Sequence, residues 1–199
     1  MTLERIIQWL GGLLAFSVLG VLLYSIWRGS QRQAGRTSGR TSMLRSPVFY
    51  FGMSAFFFGL AWLGWIPLPM SFSPPIRTAM LTLGCLLYFP GLLFVLWSRL
   101  ELGKNYFVSS SLGAQLFADQ QLVTSGPYAI VRHPMYLGLM CAAWGALLIY
   151  ATWTMVYLAV VAPFLMKRAG REEQVLAAEF GEAWTEYCKR VPAFFPRFR

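Results

Sequence analysis

The sequence predicts an all-α integral membrane protein of about five transmembrane helices, the last two forming a short helical hairpin. Three observations lead there. The 199-residue chain is 57% hydrophobic and only 13% charged, about half the usual charged share. Residues 6–27, 47–66, 78–98 and 134–166 carry no charge at all. The basic residues are distributed unevenly between the segments that separate these stretches.

Taken in order, residues 6–27 suffice for one crossing, since a helix rising ~1.5 Å per residue needs about 20 residues to traverse a hydrocarbon core of about 30 Å. Basic residues follow this stretch rather than precede it, so it reads as a span and not as a cleaved signal peptide. The loop at 28–46 holds Arg28, Arg32, Arg36, Arg40 and Arg45 and no acid, which places it in the cytoplasm and the N-terminus outside. Residues 47–66 form the second span. A charge-free loop containing Pro67, Pro69, Pro74 and Pro75 follows on the outside, and 78–98 crosses back.

Residues 134–166 are too many for one ordinary span and too few for two full ones. Tyr150 to Thr154 reads as a turn, giving two shorter helices at about 134–149 and 154–166, with Pro163 kinking the second. One long tilted helix is the alternative. Residues 99–133 and the tail at 167–199 return to the cytoplasm, so all of the seventeen lysines and arginines except Arg5 and Arg77 lie on that side. The chain divides into residues 1–98, with three helices and the basic loop, and residues 99–199. The latter hold the cytoplasmic segment 99–133, the hairpin 134–166 and the tail. Small size and cysteine usage lean toward a prokaryotic inner membrane.

The net charge of +9 is topology signal together with attraction to anionic headgroups among the membrane lipids. Nothing in the spacing suggests a zinc finger, helix-turn-helix or RNA-binding motif, so no nucleic-acid partner is expected. Cys85, Cys141 and Cys188 are scattered and odd in number, supporting neither a disulfide framework nor a metal site.

Four cytoplasmic pieces remain as candidates for chemistry: 102–106, 122–128, 132–138 and the tail. The third contains His133, the chain's only histidine. Pro134 suits the first turn of a helix, so Arg132 and His133 stand at its entry beside free N–H groups, where an anion is favoured. Tyr136 reaches the same mouth with its hydroxyl. An interfacial belt of snorkelling arginine and boundary tyrosine accounts for these residues equally well. In the tail, Val175, Leu176, Phe180, Trp184 and Tyr187 recur on one face of a helix between Arg171 and Arg190. Glu172 and Glu173 are expected in its first turn.

The order Leu-Val-Thr-Ser-Gly-Pro-Tyr (122–128), Arg-His-Pro-Met-Tyr-Leu-Gly (132–138), Glu172-Glu173, Glu-Phe-Gly-Glu (179–182), Tyr187 and Arg190-Val191-Pro192 resembles the isoprenylcysteine carboxyl methyltransferase family. Phospholipid N-methyltransferases share the Arg-His-Pro-x-Tyr-x-Gly and Glu-Glu elements. The resemblance covers roughly residues 102–196. It implies an S-adenosylmethionine-dependent methyltransferase with a small cytoplasmic cofactor-binding lobe, acting on a lipophilic small-molecule or lipidated acceptor that enters from the bilayer.

It further implies that His133 and Tyr136 meet the cofactor's amino-acid end, with Leu137 beside them, and that Glu172 or Glu173 holds its ammonium. Val123, Gly126, Pro127, Tyr128, Val191 and Pro192 would surround adenine and ribose. Arg132, Arg168 and Arg190 would grip an acceptor carboxylate, and Glu173 or Glu172 would serve as base for an amine. A carboxylate is favoured, with an amine acceptor as the alternative. A sterol-reductase-like enzyme and a non-catalytic membrane scaffold are more distant alternatives.

Overall fold

The computed structural model describes residues 2–30, 47–106 and 121–196. Most of the predicted basic loop 28–46 and part of the cytoplasmic segment 99–133 lie outside the described residues. Among the described residues regular structure is helical, apart from one isolated bridge pairing Pro67 with Thr152. Six α-helices run in the order α1 (Leu3–Ser30), α2 (Pro47–Leu63), α3 (Pro74–Leu102), α4 (Pro134–Tyr150), α5 (Trp153–Val161) and α6 (Leu165–Arg190). Short 3-10 turns at Gly103–Asn105, Gly126–Ala129 and Ala162–Phe164 link them.

Local chemistry explains the boundaries. Pro74 and Pro75 occupy the first turn of α3, where a missing N–H costs nothing, and Pro134 does the same for α4. Helix α3 stops at Gly103 (φ 49°), whose N–H returns to the Leu100 carbonyl. Helix α4 stops at Ala151, a left-handed residue (φ 47°) bonded back to Leu147. The turn expected around 150–154 is therefore present, and α4 and α5 form the hairpin.

The second arm of that hairpin departs from the sequence reading. Residues 154–166 are not one helix: α5 ends at Val161, a 3-10 turn around Pro163 intervenes, and α6 has begun by Leu165. Proline has no N–H to give to the preceding turn, so α-helical bonding gives way there to a 3-10 turn while the flanking backbone stays right-handed, in keeping with the expected kink at Pro163. The tail helix also begins earlier than Arg171. Glu172 and Glu173 fall beyond the first turn, which holds no acid, so helix-dipole attraction does not account for them. Gly181 (φ 51°) interrupts the same helix.

Helices α1 and α3 are long and apolar enough to cross a bilayer, while α4 and the Phe51–Leu63 part of α2 are shorter apolar helices. The core lies where α1, α3 and α4 meet, around Val18, Tyr88, Leu92, Val95, Ala142, Ala146 and Ile149. Between α3 and α4 the backbones approach along Gly84 and Gly91 on one side and Gly138 and Gly145 on the other. A Cβ on Gly138 would stand 2.6 Å from the Gly91 carbonyl oxygen, and one on Gly145 only 2.5 Å from the Tyr88 nitrogen. Small residues permit this contact, which gains dispersion energy where hydrophobic driving force is weak.

At the far end of α4, Arg77 at the start of α3 donates to the Leu148 carbonyl (2.7 Å) and to the Ile149 carbonyl (2.6 Å). Its charge is balanced by Glu4 of α1 at 2.5 Å. A cation on the last carbonyls of a helix satisfies orphan acceptors and the negative dipole end together. The nearby α4–α5 turn is tied to the end of α2: Leu68 N–H donates to Ala151 O (2.8 Å), and Trp153 N–H to Ile66 O (3.1 Å). Thr154 Oγ1 donates to Ala61 O (2.8 Å). With one end so fixed, the first turn of α4 is presented at the other, beside Leu22 of α1, Leu102 of α3 and the middle of α6.

Candidate active site

His133 is the N-cap of α4 (φ −121°, ψ 58°), and its position is set by backbone as much as by side chain. Arg132 N–H donates to Pro192 O (2.8 Å) and His133 N–H to Ala193 O (3.1 Å), stitching the entry of α4 to the strand-like segment after α6. The imidazole is 5% exposed. It stacks on Phe194 (centroids 5.3 Å apart, 25°) and on Tyr136 (5.7 Å, 13°).

One carboxylate oxygen organises the polar groups. Glu173 Oε1 accepts from Arg132 Nε (3.0 Å) and Nη2 (2.9 Å), and lies 2.9 Å from His133 Nε2. The remaining arginine nitrogen, Nη1, donates to Val191 O at 2.7 Å and Cys188 O at 3.4 Å. The His133 hydrogen bond and then the two from Arg132 hold the Glu173 carboxyl below the ordinary carboxylate range, against the opposing effect of burial. The neighbouring Glu172 takes a hydrogen bond from Tyr136 Oη (3.0 Å).

Below these groups is a cavity of about 240 Å³. Val123, Tyr128, Arg132, His133, Tyr136, Arg168 and Glu172 all line it. The fold thus brings seven of the expected site residues around one cavity. Gly126, Pro127, Leu137, Glu173, Arg190, Val191 and Pro192 do not line it, though most of them support residues that do. Gly126 has a positive φ (55°), and an added Cβ there would also meet the Glu101 carboxyl carbon at 2.8 Å. Pro127 follows in the same 3-10 turn, which sets Tyr128 over the cavity. Val191 and Pro192 contribute the carbonyls that hold Arg132.

Arg190 is exposed, and its Nε reaches only Glu186 O at 3.4 Å. Arg132 differs from its expected role too, since its guanidinium is occupied by Glu173 and two carbonyls.

Tyr128 is buried, and its carbonyl accepts from Tyr187 Oη at 2.6 Å. Burial first, and Glu172 next, push the Tyr128 phenol well above its ordinary value, so it stays neutral. Burial raises Tyr187 as well. Trp184, expected only on the apolar face of a tail helix, and Tyr187, expected on that face and in the family's motif order but without a site role, both line the cavity. Asn105 and Tyr106 also line it, within a piece flagged as a candidate but given no role. Leu22, Met135, Leu139, Leu165 and Leu176 complete an apolar side. Leu22 sits in the middle of an apolar run, and no local signal distinguishes it.

Comparison with known proteins accords with this layout. The phospholipid methyltransferase family matches residues 79–183, just over half of the chain. A protein-S-isoprenylcysteine O-methyltransferase from Schizosaccharomyces pombe is 36% identical over 80 residues, covering 39% of this chain and 34% of that protein. A Delta(14)-sterol reductase from Mus musculus is 41% identical over 81 residues, covering 37% and 18%. A methanethiol S-methyltransferase from Bradyrhizobium diazoefficiens is 39% identical over 70 residues, covering 35% and 27%. The matched region thus spans about a third or less of the length of these relatives. The family match at 79–183 contains the Arg132–His133 entry, Tyr136 and both glutamates, and on that match the chain belongs to the phospholipid methyltransferase family, with protein-S-isoprenylcysteine O-methyltransferases among its relatives.

Proposed function

We propose that the protein is a membrane-embedded methyltransferase that uses S-adenosylmethionine and methylates the carboxylate of a lipophilic, isoprenylcysteine-like acceptor. The observation that carries this reading is the cavity itself, which joins ionisable groups on α4 and α6 to an apolar side made by α1, α4 and α6. Exposed Trp9, Leu13, Phe16, Phe56, Trp62, Leu83, Leu93 and Trp97 on α1, α2 and α3 suit lipid contact. The N-terminal end of α4 then faces the cytoplasm, as the basic loop suggests.

The residues present fit the cofactor's chemistry. Glu172 is an anion for its ammonium, Arg168 is a cation, and the rings of Tyr106, Tyr128 and Trp184 offer π-faces to adenine and to positive charge. The cofactor, when bound, supplies a methyl group on a sulfonium. His133 and Tyr136 would hold the amino-acid end, with Glu172 already oriented by Tyr136 Oη. The role of the chain is to align donor and acceptor and keep water out. An acceptor carboxylate is already ionised at neutral pH and requires no base. Arg168, on the cavity wall, is the arginine we assign to orient it.

The family match favours a second reading, an amine acceptor such as an aminophospholipid, which would have to lose a proton. Equilibrium binding to detergent-solubilised protein tests the cofactor assignment: S-adenosylmethionine should bind saturably, and His133→Ala should weaken it while secondary structure is retained. Absence of binding in folded protein would sink the methyl-transfer reading and turn attention to a nicotinamide cofactor. Turnover with prenyl-cysteine analogues against aminophospholipids then separates the two acceptors.

A further inference from the structure

We infer that Glu173 is a positioning residue that fixes His133 as the neutral tautomer protonated on Nε2, so that the ring offers Nδ1 to a ligand as a hydrogen-bond acceptor. Three N–H groups point to a single oxygen, Glu173 Oε1: Arg132 Nε at 3.0 Å, Arg132 Nη2 at 2.9 Å and His133 Nε2 at 2.9 Å. An ionised carboxylate is acceptor-only, so the short contact to Nε2 requires the proton on that nitrogen. Arg132 already neutralises Glu173, so the ring is not needed as a cation. A neutral imidazole with Nε2–H has its lone pair on Nδ1. Stacking on the rings of Phe194 and Tyr136 restricts its rotation.

Two consequences follow for the ligand and for the glutamate. The group that meets His133 in the cavity must be a donor, such as an ammonium or a hydroxyl, and not a carboxylate. Glu173 itself is removed from the role of base, because its Oε1 is shared between Arg132 and His133 and the residue does not line the cavity. The tautomer does not depend on the methyl-transfer reading, so the two ideas fail independently. Only the identity of the donor group rests on that reading.

The chain's single histidine makes this directly observable. In protein carrying 15N-labelled histidine, nitrogen spectra at about pH 8.5, two units above the ordinary imidazole value, should show one pyrrole-like nitrogen, Nε2, and one pyridine-like nitrogen, Nδ1. A ring protonated on Nδ1, an imidazolium, or two averaged nitrogens in the wild type would overturn the inference without recourse to any variant. Glu173→Gln retains an acceptor oxygen and should keep the Nε2–H pattern. Glu173→Ala should let the nitrogens average and lower S-adenosylmethionine affinity by roughly 10- to 100-fold, the scale of a lost charge-assisted hydrogen bond. Equal loss of turnover in both variants, with the tautomer unchanged in both, would show that Glu173 acts by its charge or as a base and refute the positioning role.

Discussion

Replacing Gly138 by alanine tests the close approach of α3 and α4, on which the placement of the site depends. The added Cβ would lie 2.6 Å from Gly91 O, 2.9 Å from Val95 Cγ2 and 3.1 Å from Val95 N. The first distance leaves it about 0.8 Å short of ordinary van der Waals contact, which starts near 3.4 Å. Two of the three atoms are backbone and cannot rotate away, so the helices must separate. Overpacking of this kind costs about 1–3 kcal/mol, or a fall in melting temperature of ~2–12 °C for a chain of this length.

The matched control is Gly20→Ala in α1, where an added Cβ meets nothing within 4 Å. Helix propensity alone should stabilise that variant by roughly 0.5–1 kcal/mol. Thermal unfolding of both in the same detergent gives the comparison, and cofactor titration of Gly138→Ala should show weakened binding, because Gly138 lies little more than a turn from His133. A Gly138→Ala protein that melts at or above the Gly20→Ala control would refute the close-packed seam.

Arg77→Ala should destabilise by about 1.5–3 kcal/mol, since it strips two carbonyls at the end of α4 of a charged donor; no change on thermal unfolding would mean water caps that helix instead. Ala151→Gly should raise the melting temperature, because alanine at φ 47° pays roughly 1–2 kcal/mol that glycine does not. Glu173, whose folded pKa lies below the ordinary 4.5, adds stability that is present above that value. This contribution declines as pH falls through the lowered folded value, so the wild type should lose more melting temperature than Glu173→Gln on acidification below about pH 4.5. Arg168→Ala should reduce turnover more than cofactor affinity, whereas Arg190→Ala, on the exposed face, should alter both by less than about threefold; the reverse order in steady-state kinetics would place Arg190 on the acceptor.

What was legible in the sequence is what neighbours in the chain decide. The helical stretches follow from runs without charge, the entry of α4 from Pro134, and the turn at 150–154 from length. His133, Tyr136, Tyr128 and Glu172, which line one cavity, stand out in the sequence because their motifs are local and ordered. Partners distant in sequence were not readable. Arg77 looked like a mere exception to the charge asymmetry, yet its counter-ion is Glu4, 73 residues away. The glycines of the α3–α4 contact look like filler in apolar runs until the two helices are set side by side. The start of α6 is hidden because Lys167 and Arg168 resemble the end of a membrane segment rather than the first turn of a helix. Arg132 was assigned to a substrate because nothing nearby announces that Glu173 and Val191 fold back onto it.

An ion pair stands near each end of helix α4, and the two differ in their place relative to the family match. Arg132 and Glu173 both fall within the stretch shared with the phospholipid methyltransferase family, whereas Glu4 and Arg77 both precede it. The two pairs are separate units. A substitution at Arg77 unpairs Glu4 without touching the cavity, while one at Glu173 takes the shared acceptor from Arg132 and His133 together.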